Sequence, residues 1–281
     1  MMPTVTTIGS VPWTRTELVE ALPEFAELYQ QRPIRENMGG MGAPHMFAIW
    51  FILKKLKPKA IIESGVWYGQ GTWFFEHACP DAQIHCIDIN LDRLRYRSPR
   101  AYYFNKDFSQ LDWTGLPREQ TLLFFDDHQN AYERVKTAHW FGFSHLVFED
   151  NYIPGQGDCY SLKQVLAHSG FKRNFGRPKG IKGLMGRELS KIKERLFLAY
   201  PVIAPNARDA ACLREHLEVY QEMPPVFKLA TNRWGEAWDN TPDPLLDRVQ
   251  HPWQQVYLDE AGSYTWLCYL KLRKQGSHGE F

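Results

Sequence analysis

Two short runs of this chain end in acids. "TLLFFDD" at 121–127 is followed at once by His128, and "SHLVFED" at 144–150 closes on Glu149 and Asp150. Carboxylates crowded at a buried strand end repel one another and resist desolvation, so they must hold protons or a cation. Asp126, Asp127, Glu149 and Asp150 supply the hard oxygens that Mg²⁺ prefers, with positions left over for water and substrate. His128 titrates in the useful range and suits a general base acting on a hydroxyl whose pKa a metal has lowered. Its competing structural role is to cap the following helix or to lie exposed.

A second group sits upstream. "IIESGVWYGQGT" (61–72) is a strand, a loop with Gly65, Gly69 and Gly71, and a helix opening near Thr72. Glycines permit positive φ and close approach to a ligand, and the helix start offers unpaired amides. A dinucleotide fingerprint would read G-x-G-x-x-G. This loop reads E-x-G-x-x-x-G-x-G, and an acid at Glu63 suits a ligand with a positive amino group better than one with phosphates. That favours S-adenosylmethionine (SAM) over NAD. Asp88, closing the next strand-like run, is placed to accept from ribose hydroxyls. Asp107 and Phe108, after the third, offer a polar contact and an apolar face to an adenine ring. In this order, the three features indicate a nucleoside-cofactor site.

These residues resemble a known family. "ESGVWYGQGT" is similar to the first motif of class I SAM-dependent methyltransferases, and its E-x-G-V-W-x-G core, which includes Trp67, looks most like the macrocin-type sugar O-methyltransferases. "CIDIN", "DDH" and "VFED" resemble the cephalosporin-hydroxylase and rhamnosyl O-methyltransferase group. The resemblance spans about residues 60–152. It implies a Rossmann-like α/β fold with a mainly parallel seven-stranded sheet, and metal-assisted O-methylation of a sugar or similar small polyol with SAM as donor. It also implies a divalent metal on Glu149, Asp150 and one of Asp126 or Asp127. The macrocin type favours Asp126 and the hydroxylase type Asp127. The macrocin type has an acid where His128 stands, so the histidine is a departure. Two other readings compete: an NAD-dependent oxidoreductase, disfavoured by the incomplete phosphate fingerprint, and a non-catalytic scaffold with the same fold.

The elements that must position these residues follow from pattern. "AIIES" (60–64), "QIHCIDI" (83–89), "AYYFNKD" (101–107), "TLLFFDD" and "SHLVFED" are apolar runs separated by helix-length segments, as in a parallel sheet with crossover helices. Their terminal acids then line one sheet edge, where ligands bind in open α/β folds. Residues 1–58 read as a helical extension, with "TELVEALPEFAELYQQ", a Gly- and Met-rich connection, and an apolar helix from Met46 to Leu56. Residues 59–152 form the cofactor-binding core and 153–222 an inserted lid that includes a helix from Asn206 to Glu222. Residues 223–281 complete the core with an antiparallel pair, "PVFKLATNRW" (225–234) and "SYTWLCYLKL" (263–272).

Several single features carry two readings each. His45 follows a flexible loop and either reaches the site or packs elsewhere, and Asn151 and Tyr152 either orient a substrate or turn the chain. Basic residues from Lys172 to Arg195 either gather an anionic substrate or coat a solvated lid. Trp234, Trp238 and Trp253 either stack on a sugar or fill the core.

Composition narrows the class. A chain of 281 residues fits one core plus an insert, since single cores stop growing near ~250–300 residues. A net charge of +1 excludes a global bias toward nucleic acid or membrane surfaces. Five scattered cysteines without a C-x-x-C pair argue against a disulfide framework and a zinc cluster, which fits a cytoplasmic protein. The most apolar run, "HMFAIWFILKK", is too short to span a bilayer. The expected partner is a small-molecule substrate, a sugar or glycoside, with no nucleic acid or membrane partner, and a homo-oligomer is left open.

Overall fold

The computed structural model describes residues 5–172, 202–231, 241–274 and 281. In chain order the elements are β1 (Thr7–Ile8), α1 (Arg15–Gln30), α2 (Ala43–Leu56), β2 (Ala60–Ser64), α3 (Gln70–Ala78), β3 (Gln83–Ile87), β4 (Tyr102–Phe104), β5 (Thr121–Phe125), α4 (Ala131–Trp140), β6 (His145–Phe148), α5 (Leu162–Leu166), α6 (Ala207–His216), β7 (Leu217–Glu222) and β8 (Cys268–Leu272), with short 3₁₀ turns and one further helical turn, Gln255–Asp259, between them. The strands form one sheet in the order β1-β7-β8-β6-β5-β2-β3-β4. Strands β2 to β6 pair in parallel, while β8, β7 and β1 pair antiparallel in turn.

The expected α/β sheet is present, with eight strands among the described residues rather than seven. The extra strand is β1, where the N-terminal extension adds a short edge, Thr7 opposite Gln221. A second correction concerns 206–222. Asn206 caps α6 as expected, but the helix stops at His216 and Leu217–Glu222 is a strand. Leu213, Leu217 and Tyr220 satisfy a helical period, whereas Leu217 and Val219 also satisfy a period of two, and pairing with β8 on one side and β1 on the other selects the strand. The partner of β8 is therefore 217–222. The described part of "PVFKLATNRW", 225–231, contains no strand.

Each face of the sheet buries a separate core. Ile61, Leu122, Phe124 and Val147 pack with Phe25, Phe47, Trp50 and Phe74 from α1, α2 and α3. Ile62, Leu123, Phe125, Leu146 and Phe148 point the other way, onto Tyr132, Val135, Leu162 and Leu213 from α4, α5 and α6. Helix α2 is buried at every position from Ala43 to Leu53, which explains its all-round apolar composition. At the start of α1, Thr14 and Glu17 form a reciprocal capping box. Much of the aromatic content is thus core. All five cysteines are free thiols, and among the described residues no helix is long and apolar enough to cross a membrane.

Candidate functional site

Strand β2 has β3 on one side and β5 on the other, so the strand order reverses there, the place beyond the carboxyl ends of the strands where open α/β sheets bind ligands. The glycine loop follows β2, and the first acid pair follows β5. The two touch. Gly65 has φ +94°, and a Cβ there would overlap the carbonyl oxygen of Asp126. Its glycine is thus required by the neighbouring chain, as Gly71 is by Glu63, whose Oε1 a Cβ would strike. Gly65→Ala is expected to destabilise by about 1–3 kcal/mol or more and, by displacing Asp126, to lower activity roughly 10²-fold. Gly115→Ala, with nothing within 4 Å of its Cβ position, is the control for denaturation and turnover measurements. Equal effects at the two positions would refute the steric account.

Past the ends of β5 and β6, Asp126, His128 and Asp150 bring one ligand atom each to within 4.8 Å of one another. His128 Nδ1 lies 2.8 Å from Asp150 Oδ2 and 3.2 Å from Asp158 Oδ1. Hydrogen bonds to Asp150 and Asp158 push the imidazole pKa up to about 12 against the opposing effect of burial. Asp126 is raised well above the ordinary carboxylate range by burial, then by Glu149 and Asp150. Asp150 is pushed up to about 6, again by burial first and Glu149 next. The cluster therefore holds more negative charge than it can stabilise unaided.

The two adjacent acids after β5 part company. Asp127 continues the alternation that faces α4: Ser64 Oγ donates to it at 2.7 Å and Arg134 Nη2 lies 2.8 Å away. The same guanidinium holds both oxygens of Asp107, at 3.0 and 2.6 Å, and keeps that carboxyl well below its usual range. Of the two candidates left open by the sequence, Asp126 faces Glu149 and Asp150, while Asp127 is committed to an arginine. Glu149 lies on the α2 side, where His45 Nε2 is 2.9 Å from its Oε1.

Other candidates sit differently from expectation. Phe108 is fully buried among Trp113, Phe125, Phe141 and Phe143, so its ring packs the core and offers no face to adenine. Asp107, with its side chain 40% exposed, is engaged by Arg134 and by the amide and hydroxyl of Ser109. Glu63 lies beneath the loop, accepting from Thr72 Oγ1 at 2.5 Å and from Cys86 Sγ at 3.4 Å. Thr72 is buried with it. The argument that Glu63 attracts an amino group therefore does not hold for this geometry.

Burial, opposed by those two donors and helped by Asp88 and Glu76, pushes Glu63 up to about 8 from an ordinary 4.5. The folded protein thus keeps a proton there that the unfolded chain releases, and stability falls as pH rises from about 4.5 to about 8. Glu63→Gln is expected to remove that slope in urea midpoints compared across this window. An unchanged slope would refute the assignment.

Asp88 closes β3 as expected and shapes the loop. Its Oδ2 accepts from the amides of Val66 and Trp67, both at 3.0 Å, and Oδ1 accepts from Asn90 at 2.9 Å. Trp67, half-buried, donates its indole N–H to Met38 O at 3.2 Å, which ties the Gly- and Met-rich connection to the loop. Gly69 is the left-handed N-cap of α3, with no side chain capping the first turn. Trp67 (φ +53°), His128 (+52°) and Trp266 (+63°) are non-glycine residues held in the left-handed region, and each lies in or beside a segment that builds this site. Such strain persists where surrounding structure over-determines it, which is common at functional sites.

Asn151 and Tyr152 are both tied into the fold, and a side-chain hydrogen bond also joins Tyr152 to Asp150. Asn151 is fully buried, donating to Tyr220 OH at 2.7 Å and accepting from the Lys163 amide at 2.9 Å. The carbonyl of Tyr152 accepts from Ser161 Oγ at 2.6 Å. Trp253 packs against the α1 and α2 core. Residues 173–195 of the basic segment, Trp234 and Trp238 lie outside the described residues. Sequence reasoning missed Arg134, Asp158 and Thr265. Asp158 stood in a visible "GQGD" turn, whereas Arg134 and Thr265 carry no local signal.

No protein-family model matches the sequence, and no curated protein matches it. Solved structures do. The SAH-bound Podospora anserina methyltransferase PaMTH1 is similar at 12% identity, over 95% of this chain and 100% of that one, with a TM-score of 0.40. CmcI with SAH aligns at 18% identity over 53% of this chain and 81% of that one, TM-score 0.34. The O-methyltransferase TomG from Streptomyces achromogenes, in complex with SAM, aligns at 15% identity over 62% and 77%, TM-score 0.35. At these scores the likeness assigns no activity, and the functional reading rests on the residues of the site.

Proposed function

We propose that this chain is a SAM-dependent O-methyltransferase that uses a divalent cation, Mg²⁺ by donor chemistry, to act on a hydroxyl of a sugar or similar small polyol. The observation that supports this most is the approach of Asp126, His128 and Asp150 to within 4.8 Å at the point where the strand order reverses, against the glycine loop. The residues fit a hard cation. Asp126, Glu149 and Asp150 are crowded oxygen donors, with Asp126 and Asp150 pushed up by burial and by Glu149, whereas Asp127 is paired with Arg134. When bound, such a cation offsets that repulsion and lowers the pKa of an acceptor hydroxyl.

The protein's own groups supply the rest. His128 turns Nδ1 to Asp150 and Asp158, which fixes the proton on Nδ1 and leaves Nε2 to take the hydroxyl proton, the logic of an Asp–His pair. Its side chain is 54% exposed, so a substrate can reach that nitrogen. SAM lies over the loop of Gly65, Trp67 and Gly69 in this reading. A carboxylate has about four acceptor sites. Three backbone amides fill Asp88, and the remaining site suits a ribose hydroxyl. Methyl transfer then needs little beyond in-line placement of sulfur, methyl and oxygen. The sugar acceptor rests on the E-x-G-V-W-x-G resemblance, and the segment after Tyr152 is the proposed lid.

Incubation with labelled SAM, Mg²⁺ and a panel of glycosides, with and without chelator, tests the reading. Label transfer that chelation abolishes and Mg²⁺ restores is expected. Transfer indifferent to chelation would overturn the metal, and failure to bind SAM in calorimetry would overturn the cofactor.

A further inference from the structure

Helix α2 delivers an imidazole to the acids that the functional reading leaves unused. His45 is 2% exposed, and its Nε2 lies 2.9 Å from Glu149 Oε1 and 3.0 Å from Thr265 Oγ1. The Thr265 backbone N–H donates to the same Nε2 at 2.9 Å, and the Thr265 hydroxyl donates to Glu149 Oε1 at 2.6 Å. Three segments far apart in sequence, α2, the chain after β6 and the run into β8, thus converge on one carboxylate oxygen. The ring of His45 is itself seated against Tyr264, 4.9 Å between centroids.

The arrangement has a mechanical reason. Glu149 has a longer side chain than its aspartate neighbours, and repulsion from Asp126 and Asp150 favours rotamers that swing it away. The Thr265 hydroxyl holds Oε1 from the opposite side, and His45, accepting the Thr265 N–H at Nε2, fixes Thr265 in place, so that Glu149 would be held ready to join Asp126 and Asp150 around a cation. We propose that His45 and Thr265 are positioning residues that hold Glu149 against this repulsion and so set the affinity of the site for a divalent cation. The inference rests on the metal reading above. It assigns the N-terminal extension a share in the site.

Mn²⁺ is a direct probe, because free Mn²⁺ is counted by its paramagnetic resonance signal without any turnover. Thr265→Val removes the hydroxyl at nearly constant shape, and Thr265→Ser retains it. His45→Asn shortens the group at the ring position, and Glu149→Gln is the reference for a lost ligand. Partners of this kind typically carry a 10–100-fold share of metal affinity. Thr265→Val and His45→Asn are therefore each expected to weaken Mn²⁺ binding by about 10–100-fold. Thr265→Ser should bind as wild type does. The double variant should be little worse than either single one, since both act on one carboxylate. At saturating Mn²⁺ the Thr265→Val enzyme should recover kcat.

Wild-type affinity in Thr265→Val and His45→Asn, with binding lost in Glu149→Gln, would overturn the clamp and leave the metal reading standing. Unchanged binding in Glu149→Gln would also overturn the clamp. A wild-type protein that takes up no Mn²⁺ would overturn both. Should His45→Asn fail to fold, Thr265→Val and Thr265→Ser decide the matter alone.

Discussion

His128→Asn is expected to lower kcat by about 10²–10⁴-fold, the usual share of a general base, while leaving the fold and Mn²⁺ affinity in place. The two readouts separate the roles open to this side chain. One ring nitrogen is within 4.8 Å of oxygens from Asp126 and Asp150, so the ring is placed either to coordinate a cation or to accept a proton. A base loses turnover alone. A ligand loses Mn²⁺ binding as well, and that outcome would refute the assignment. Because Asp150 and Asp158 hold the imidazolium in the absence of a cation, with a pKa of about 12, the wild-type ring should remain protonated through neutral pH in metal-free protein, which its NMR shifts report.

Lys163→Met should destabilise the protein by about 3–5 kcal/mol, a large part of the ~5–15 kcal/mol available to a folded domain. Lys163 Nζ and Glu222 Oε2 are 2.7 Å apart and both side chains are fully buried. Tyr220 OH donates to the other carboxylate oxygen at 2.9 Å. Burial raises the pKa of Glu222 and Lys163 opposes that rise, so removing the lysine strands a charge. The loss should shrink at low pH, where Glu222 takes up a proton, and most of it should be recovered by adding Glu222→Leu. Urea denaturation of the single and double variants checks this. A deficit below about 1 kcal/mol, a surface-pair value, would sink it. The pair also matters to the site, because Tyr220 and the Lys163 amide hold Asn151, which directly follows Asp150.

How much of this was written in the sequence depends on whether the information was local. The strands that carry the acids were legible, since each is a short apolar run stopped by a charge. The choice between Asp126 and Asp127 was not. Both faces of β5 are buried, so Phe124 and Phe125 give no clue to which side is which, and only the position of Arg134 on α4 shows that Asp127 belongs to the α4 side. Glu63 misled for a similar reason: an acid beside a glycine loop looks ligand-facing, but the strand alternation turns it under the loop toward Thr72. The strand at Leu217–Glu222 was hidden by residues that satisfy helical and strand periods at once. His45, Thr265 and Lys163 gain their roles from approaches across 220, 116 and 59 positions, which no local pattern encodes.

The hydrogen bond from Thr265 to Glu149 also fixes an order of events during synthesis. The two residues are 116 positions apart. At about 5–20 residues per second, roughly 6–23 s pass on the ribosome between them. During that interval a nascent chain already carries its acids but not the hydroxyl that aligns one of them. Competence therefore arrives late, with β8, and a product terminated before Thr265 would lack both a finished centre and the strand that joins β7 to β6.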